Sequence, residues 1–155
     1  MKVLVADPFA RIDDAGIAHV ALEQLLERAD YVVCLAVANE KTENLIGAAA
    51  LARMQQHAFF INLSRGNLVD ETALAAALRE NRIAGAALDV GRATDQMPSP
   101  ALAGLPNVIA TPHIGGLTPP AIEGQSQETV RQVRAIAGGE IPGGAVNSEH
   151  WTRRG

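Results

Sequence analysis

Short apolar runs of strand length alternate along this chain with Ala- and Leu-rich stretches of helical spacing. Residues 2–6, 31–35, 58–63, 86–88 and 107–110 read as strands. Leu22, Leu25, Leu26 and Ala29 fall on one helical face, residues 44–54 are Ala-rich and read as a helix, and another helix is expected from Glu71 to about Glu80. Thr118 stands where it can cap a last helix, with Pro119 at its first position and Gly138-Gly139 at its end. Ile122, Val130, Val133 and Ile136 line one side of that helix. Such alternation argues for an α/β chain with a parallel sheet and right-handed crossovers. The fold class expected is a Rossmann-like, doubly wound sheet.

Three of the strands end in a single ionisable residue. Phe59-Phe60-Ile61 leads through a polar turn to Arg65, after which Asp70 is a good helix N-cap and Glu71 meets the helix dipole. Ala86-Ala87-Leu88 leads to Asp89, and Ile109-Ala110-Thr111-Pro112 leads to His113. Open parallel sheets bind ligands at the carboxyl ends of their strands. An Arg, an Asp and a His at successive strand ends form a plausible redox or acid/base set. A guanidinium suits a carboxylate, which it grips in bidentate fashion. An imidazole suits proton transfer near neutral pH. A solvated loop Arg, a strand-end carboxylate capping nearby amides and a structural loop His are the plainer readings.

Composition narrows the class. The chain has 155 residues, enough for one domain with a core, and 48% are apolar but only 3% aromatic. The core must therefore be built from Ala, Leu, Ile and Val. A formal charge of −4 gives no basic footprint for nucleic acid. Cys34 is the one cysteine, so no internal disulfide forms, and its place inside an apolar strand makes it a small core residue. No apolar stretch approaches the roughly 20 residues needed to span a bilayer, and the amino terminus lacks a signal-peptide pattern. No membrane association and a cytoplasmic location are expected. His19, His57 and His150 lack the context of His113 and read as surface or packing residues.

Asn62-Leu63-Ser64-Arg65-Gly66 with Val69-Asp70, then Leu88-Asp89-Val90, then Thr111-Pro112-His113-Ile114-Gly115-Gly116, resemble in this order the D-isomer-specific 2-hydroxyacid dehydrogenases. The likeness runs from Met1 to about Asn147. It implies an NAD-dependent oxidoreductase, of the phosphoglycerate or glyoxylate/hydroxypyruvate dehydrogenase kind, interconverting a small 2-hydroxy acid and a 2-oxo acid. It implies catalytic roles for Arg65 on the substrate carboxylate and for His113 on the hydroxyl proton. Asp89 resembles the residue that meets the nicotinamide carboxamide, while Leu63, Ser64, Gly115 and Gly116 match small or backbone positions around the cofactor. Asp7, in Asp7-Pro8-Phe9 after the first apolar run, matches the acid that binds the adenosine ribose hydroxyls. A turn former beside a proline is its other reading. No metal is expected. A homodimer is implied for an intact protein.

Departures from the family pattern are as informative. The acid that pairs with the histidine usually follows the Leu-Asp-Val acid by five positions, in an aromatic- and Glu-rich segment ending in Pro. Here that place holds Thr94, and Asp95 serves only after a shift of one residue. The turn after Val37 keeps only Thr42 of the family pattern. No Gly-x-Gly-x-x-Gly occurs, although the phosphate loop belongs about 20 residues before Asp7. The sheet is expected to be incomplete, without its first strand and glycine-rich loop. The absent strand would lie between residues 3–6 and 58–63, whose apolar edges then want partners. Residues 1–147 are expected to be part of an NAD-binding domain, and 148–155 a tail returning to a substrate domain that the sequence does not contain. The chain is thus expected to be a fragment, or a truncated product, with little activity alone. The alternative function is a non-catalytic, dinucleotide-responsive interaction module.

Overall fold

The structure is a computed structural model and describes residues 1–10, 12–146 and 148–150. The tail at 151–155 and the side chain of His150 lie outside the described residues. The chain divides into two units, Met1–His113 and Ile114–Gly155.

The first unit carries every named strand. Val3–Val5 (β1) pairs in parallel with Ile17–His19 (β2). Leu22–Arg28 (α1) leads to Tyr31–Cys34 (β3), and Ala48–Arg53 (α2) leads to Phe59–Asn62 (β4). A 3₁₀ turn at Gly66–Leu68 precedes Glu71–Arg79 (α3), which is followed by Gly85–Leu88 (β5), Pro100–Ala103 (α4) and Val108–Ala110 (β6). The last four strands form one parallel sheet in the order β3-β4-β5-β6. Its register sets Cys34, Asn62, Leu88 and Ala110 level at the carboxyl edge.

Strand alternation decides which face is covered. Val32, Cys34, Phe60 and Asn62 are buried, together with Leu26 of α1, Leu51 of α2 and Leu74 and Leu78 of α3. Tyr31, Val33, Phe59 and Ile109 stay exposed on the opposite face, where the Tyr31 and Phe59 rings stack at 5.7 Å. Burying a Leu or Phe stabilises by about 1.5–3 kcal/mol, so the covered face holds the unit together. Burial also raises the pKa of the Cys34 thiol, as a core thiol requires.

Helix α3 has both its expected ends. The Asp70 carboxylate accepts from the Thr72 and Ala73 amides, each at 3.0 Å. At the other end Asn81 takes a left-handed backbone, φ 53°, and the Arg82 amide returns to the Ala77 carbonyl at 2.8 Å. That is a Schellman closure with Asn in the place glycine commonly takes.

Some expectations need correction. Residues 44–47 are not helical: the Ile46 amide donates to the Leu68 carbonyl at 2.9 Å, and Asp70 donates to the Ile46 carbonyl at 3.2 Å. The backbone here runs beside the turn after β4, so α2 starts only at Ala48. The break in the sheet is not beside residues 58–63, because β4 lies inside the sheet between β3 and β5. The interruption falls between the β1-β2 pair and the four-stranded sheet, which share no ladder. The cause is β2, whose three residues are too short for their periodicity to register.

The second unit contains Pro119–Ala137 (α5) and a 3₁₀ turn at Ser148–His150. Thr118 is the N-cap residue by backbone, but its side chain makes no cap hydrogen bond. Gly138 and Gly139 end α5 as expected, with Gly139 at φ 76° and the Glu140 amide on the Ala135 carbonyl. Ile122, Val130, Val133 and Ile136 are exposed, and α5 buries none of its residues. No helix among the described residues is long and apolar enough to cross a membrane.

Replacing Asp70 by Ala is expected to cost about 1 kcal/mol through two orphaned helix amides. Asp70→Asn should cost much less, and chemical denaturation of both variants measures the difference.

Candidate active site at the carboxyl edge of the sheet

The turn after β4 is shaped by a buried amide. Asn62 is 1% exposed, at a strand position where an apolar side chain would otherwise sit. Its Nδ2 donates to the Arg65 carbonyl at 3.0 Å, and its Oδ1 accepts the Ser64 amide at 3.1 Å. The Ser64 hydroxyl then donates to the Ala36 carbonyl at 2.7 Å, tying the turn to the chain leaving β3. Leu63 is left exposed between them. Arg65 is exposed, and Nη1 donates to the Ser64 carbonyl at 2.7 Å. The rest of its fork has no hydrogen-bond partner among the described residues.

Asp89 follows β5 directly and is buried. Its amide donates to the Asn62 carbonyl at 3.1 Å, continuing the ladder past the strand ends. The Thr111 hydroxyl donates to Asp89 Oδ1 at 2.5 Å, which fixes the carboxylate against the chain leaving β6. Thr111 in turn donates its amide to the Leu88 carbonyl at 2.9 Å. Two residues on, His113 is half-buried in a left-handed conformation, φ 53°, with its amide on the Thr111 carbonyl at 3.0 Å. Side chains with a Cβ rarely adopt that backbone outside functional sites and turns, and it costs of order 1 kcal/mol or more.

The level register thus brings Arg65, Asp89 and His113 to one edge of one sheet. Gly115 and Gly116 belong to the second unit. Asp7 lies past the end of β1, and its Oδ1 accepts the amides of Phe9 at 2.8 Å and Ala10 at 3.1 Å. Among hydrogen bonds of the described residues, neither Thr94 nor Asp95 reaches His113. Asp95 Oδ1 accepts the Met97 amide at 3.0 Å, within the turn closed by the Gln96 amide on the Ala93 carbonyl. His57 pairs with Asp30 at 2.8 Å on the surface. His19 does more than sequence implied: its Nε2 lies 2.7 Å from the Asp7 carbonyl. No group of His, Cys, Asp or Glu that could hold a metal occurs among the described residues.

Sequence reasoning passed over Asn62, Thr111 and Arg92 as working parts. A polar residue ending an apolar strand was the available signal for Asn62. Nothing local marks Arg92, whose partners are distant in sequence. Its guanidinium and the Asn67 amide hold the Glu43 carboxyl below its ordinary pKa.

Two glycines let the turn and the segment after Asp89 meet. A Cβ on Gly66 would lie 2.1 Å from the Gly91 carbonyl carbon, and one on Gly91 would lie 2.3 Å from the Met97 carbonyl oxygen. Backbone sits against backbone here, with no side chain able to move aside.

Comparison with known proteins places these features in context. Residues 1–115 match the family model described as D-isomer specific 2-hydroxyacid dehydrogenase, NAD binding domain. The chain is 42% identical over 142 residues to an (S)-sulfolactate dehydrogenase of Chromohalobacter salexigens, covering 89% of this chain and 46% of that one. It is 36% identical over 152 residues to a glyoxylate reductase of Korarchaeum cryptofilum, with 96% and 46% covered. Among solved structures, a D-isomer specific 2-hydroxyacid dehydrogenase from Lactobacillus delbrueckii ssp. bulgaricus, in its NAD complex, superposes with a TM-score of 0.85 at 31% identity. That match covers 94% of this chain and 48% of the other. The chain therefore spans about half the length of these relatives.

Gly66→Ala is expected to destabilise the first unit by about 1–3 kcal/mol through overpacking. Gly124→Ala, in α5 with open space around it, should instead stabilise the helix by up to about 1 kcal/mol. Paired denaturation curves test both signs.

Proposed function

Because this chain belongs to the D-isomer specific 2-hydroxyacid dehydrogenases, through their NAD-binding domain, we propose that it is the cofactor-binding part of an NAD-dependent oxidoreductase interconverting a 2-hydroxy acid and a 2-oxo acid. The observation that carries the reading is the set Arg65, Asp89 and His113 at level strand ends, with His113 held in a strained backbone. NAD supplies the hydride acceptor or donor when bound.

The chain's own residues divide the remaining work. Arg65 presents an open guanidinium fork to the substrate carboxylate. His113 takes the hydroxyl proton during oxidation and returns it to the carbonyl oxygen during reduction. Asp89, fixed by Thr111, accepts from the carboxamide end of the cofactor. Leu63 and Ser64 line its nicotinamide side, while the cofactor roles of Gly115 and Gly116 rest on the family resemblance alone. Asp7 uses one carboxylate oxygen on its own turn, and the other is assigned to the ribose hydroxyls. The residues present fit NAD at both ends but not at its pyrophosphate. With no glycine-rich loop among the 155 residues, we place the pyrophosphate anchor, and the groups that read the substrate side chain, outside them. The proposal includes a homodimer, as the family resemblance implies, and a cytoplasmic location.

One observation favours a second reading, a non-catalytic dinucleotide-responsive module. Asp95 Oδ1 accepts the Met97 amide, and no hydrogen bond among the described residues joins Asp95 to the His113 ring. Turnover separates the two. The gene product carrying these residues should reduce 2-oxo acids such as glyoxylate with NADH, and dinucleotide-dependent partner binding without turnover would favour the module.

His113→Ala should lower kcat roughly 10²–10⁴-fold, the usual worth of a general acid–base. Undiminished turnover would refute the role. An acid at position 7 disfavours a 2′-phosphate, so kcat/KM should be higher with NADH than with NADPH, and Asp7→Ala should narrow the ratio. Residues 1–155 alone should bind NAD weakly or not at all. Micromolar affinity by calorimetric titration would show that the pyrophosphate anchor is dispensable.

A further inference from the structure

Arg92 lies outside the set just described, three residues past Asp89, yet its side chain is directed at the turn that bears Arg65 and at Glu43 and Asn44 beside it. Its Nε donates to the Val69 carbonyl at 2.9 Å. Its Nη2 donates to the Asn67 carbonyl at 2.8 Å and to Asn44 Oδ1 at 2.5 Å. The same nitrogen pairs with Glu43 Oε1 at 2.7 Å, while Glu43 Oε2 accepts from the Asn67 side chain at 3.1 Å. The Arg92 amide donates to Glu71 Oε1 at 2.8 Å, in the first turn of α3. Next to it, the Gly91 backbone packs on Gly66 so closely that no Cβ fits between them.

We propose that Arg92 is a positioning residue for Arg65, clamping the turn on which the carboxylate-binding guanidinium is mounted. The inference rests on the function proposed above for Arg65. Residues 65–69 are held from two sides. Asn62 fixes the entry through the Ser64 amide and the Arg65 carbonyl. Arg92 fixes the exit through the carbonyls of Asn67 and Val69. The two arginines differ in what their forks meet. Among the described residues the Arg65 guanidinium gives a single hydrogen bond, to its neighbour's carbonyl, and leaves the rest of its fork open to a ligand. Arg92 directs Nε and Nη2 to protein acceptors. A planar fork reaches two carbonyls of one turn at once, which the single ammonium of Lys cannot do in the same geometry. A loosened exit lets the turn move, and loss of orientation falls on the group that must meet the substrate.

Steady-state kinetics of the gene product carrying these residues test the proposal, with NADH and glyoxylate varied separately. Arg92→Ala should raise the KM for the oxo acid about tenfold or more while leaving the KM for NADH within about twofold. A general loss of fold lowers the active fraction, hence kcat, without that split. Arg92→Lys should recover part of the loss. If Arg92→Ala does not fold, Arg92→Lys carries the test, with a smaller rise in the same KM alone. In an Arg65→Ala background, Arg92→Ala should add little, because the group it positions is gone. An unchanged KM for the oxo acid, an equal rise in both KM values, or full additivity with Arg65→Ala would overturn the proposal. Were the parent protein to reduce no 2-oxo acid, the reading of the site would fail by itself. Amide exchange over residues 65–69 then judges the clamp: faster exchange in Arg92→Ala supports it, and unchanged exchange overturns it.

Discussion

Asn62 uses both ends of its amide on the turn that follows it, and almost everything at the carboxyl edge depends on that choice. The residue ends a strand flanked by β3 and β5 and is itself almost fully buried, so its polar atoms have no water to fall back on. An unsatisfied amide there would cost about 1–3 kcal/mol, and the nearest partners are backbone groups of Ser64 and Arg65. The turn takes the shape that satisfies Asn62. That shape sends the Ser64 hydroxyl to the chain after β3, and directs the main chain into the tight passage at Gly66. Arg65 is displayed outward as a result.

A parallel sheet supplies level strand ends but no means of fixing what comes after them. Here each exit is fixed by a different device. A buried side-chain amide shapes the exit of β4. A hydroxyl–carboxylate bond locks Asp89 to Thr111. A left-handed residue turns the chain at His113. The strand exits are joined laterally as well, through Ser64 to Ala36, Asp89 to Asn62 and Thr111 to Leu88. Rigid strands with cross-braced exits meet the demand that a chemical site be held on ordered elements instead of free loops.

The strand–helix alternation made the parallel sheet legible, because period and burial agree in most strands. The place of Arg65, Asp89 and His113 at strand ends was legible because each is a lone ionisable residue after an apolar run. The ends of α3 were legible through Asp70 and Asn81, which carry their own local signals. What could not be read was set by distant partners. Residues 44–46 have helical composition, but their backbone is claimed by the turn at 67–69, a tertiary override of propensity. The strand β2 is too short to show a period, and missing it misplaced the break in the sheet. The acid expected beside His113 was sought by counting from Asp89, whereas Asp95 is held by the Met97 amide in a local turn. Arg92 reads as a surface charge until its acceptors are known, and Asn44 lies 48 residues away.

That separation bears on how the protein is made. A parallel ladder has no hairpins, so each strand must wait for a helix to pass before its neighbour exists, and such non-local pairings form slowly. The bond between Ser64 and Ala36 already spans 28 residues of chain. The clamp on the same turn reaches in the opposite direction along the sequence, forward to Arg92. During synthesis from the amino terminus, Arg65 leaves the ribosome with Asn62 beside it but with Gly91 and Arg92 still inside. A nascent chain halted at that stage displays a guanidinium on a turn fixed at one end only. Its first covered sheet face also lacks β5. Ordering of the turn that bears Arg65 is therefore a late event, coupled to completion of the sheet.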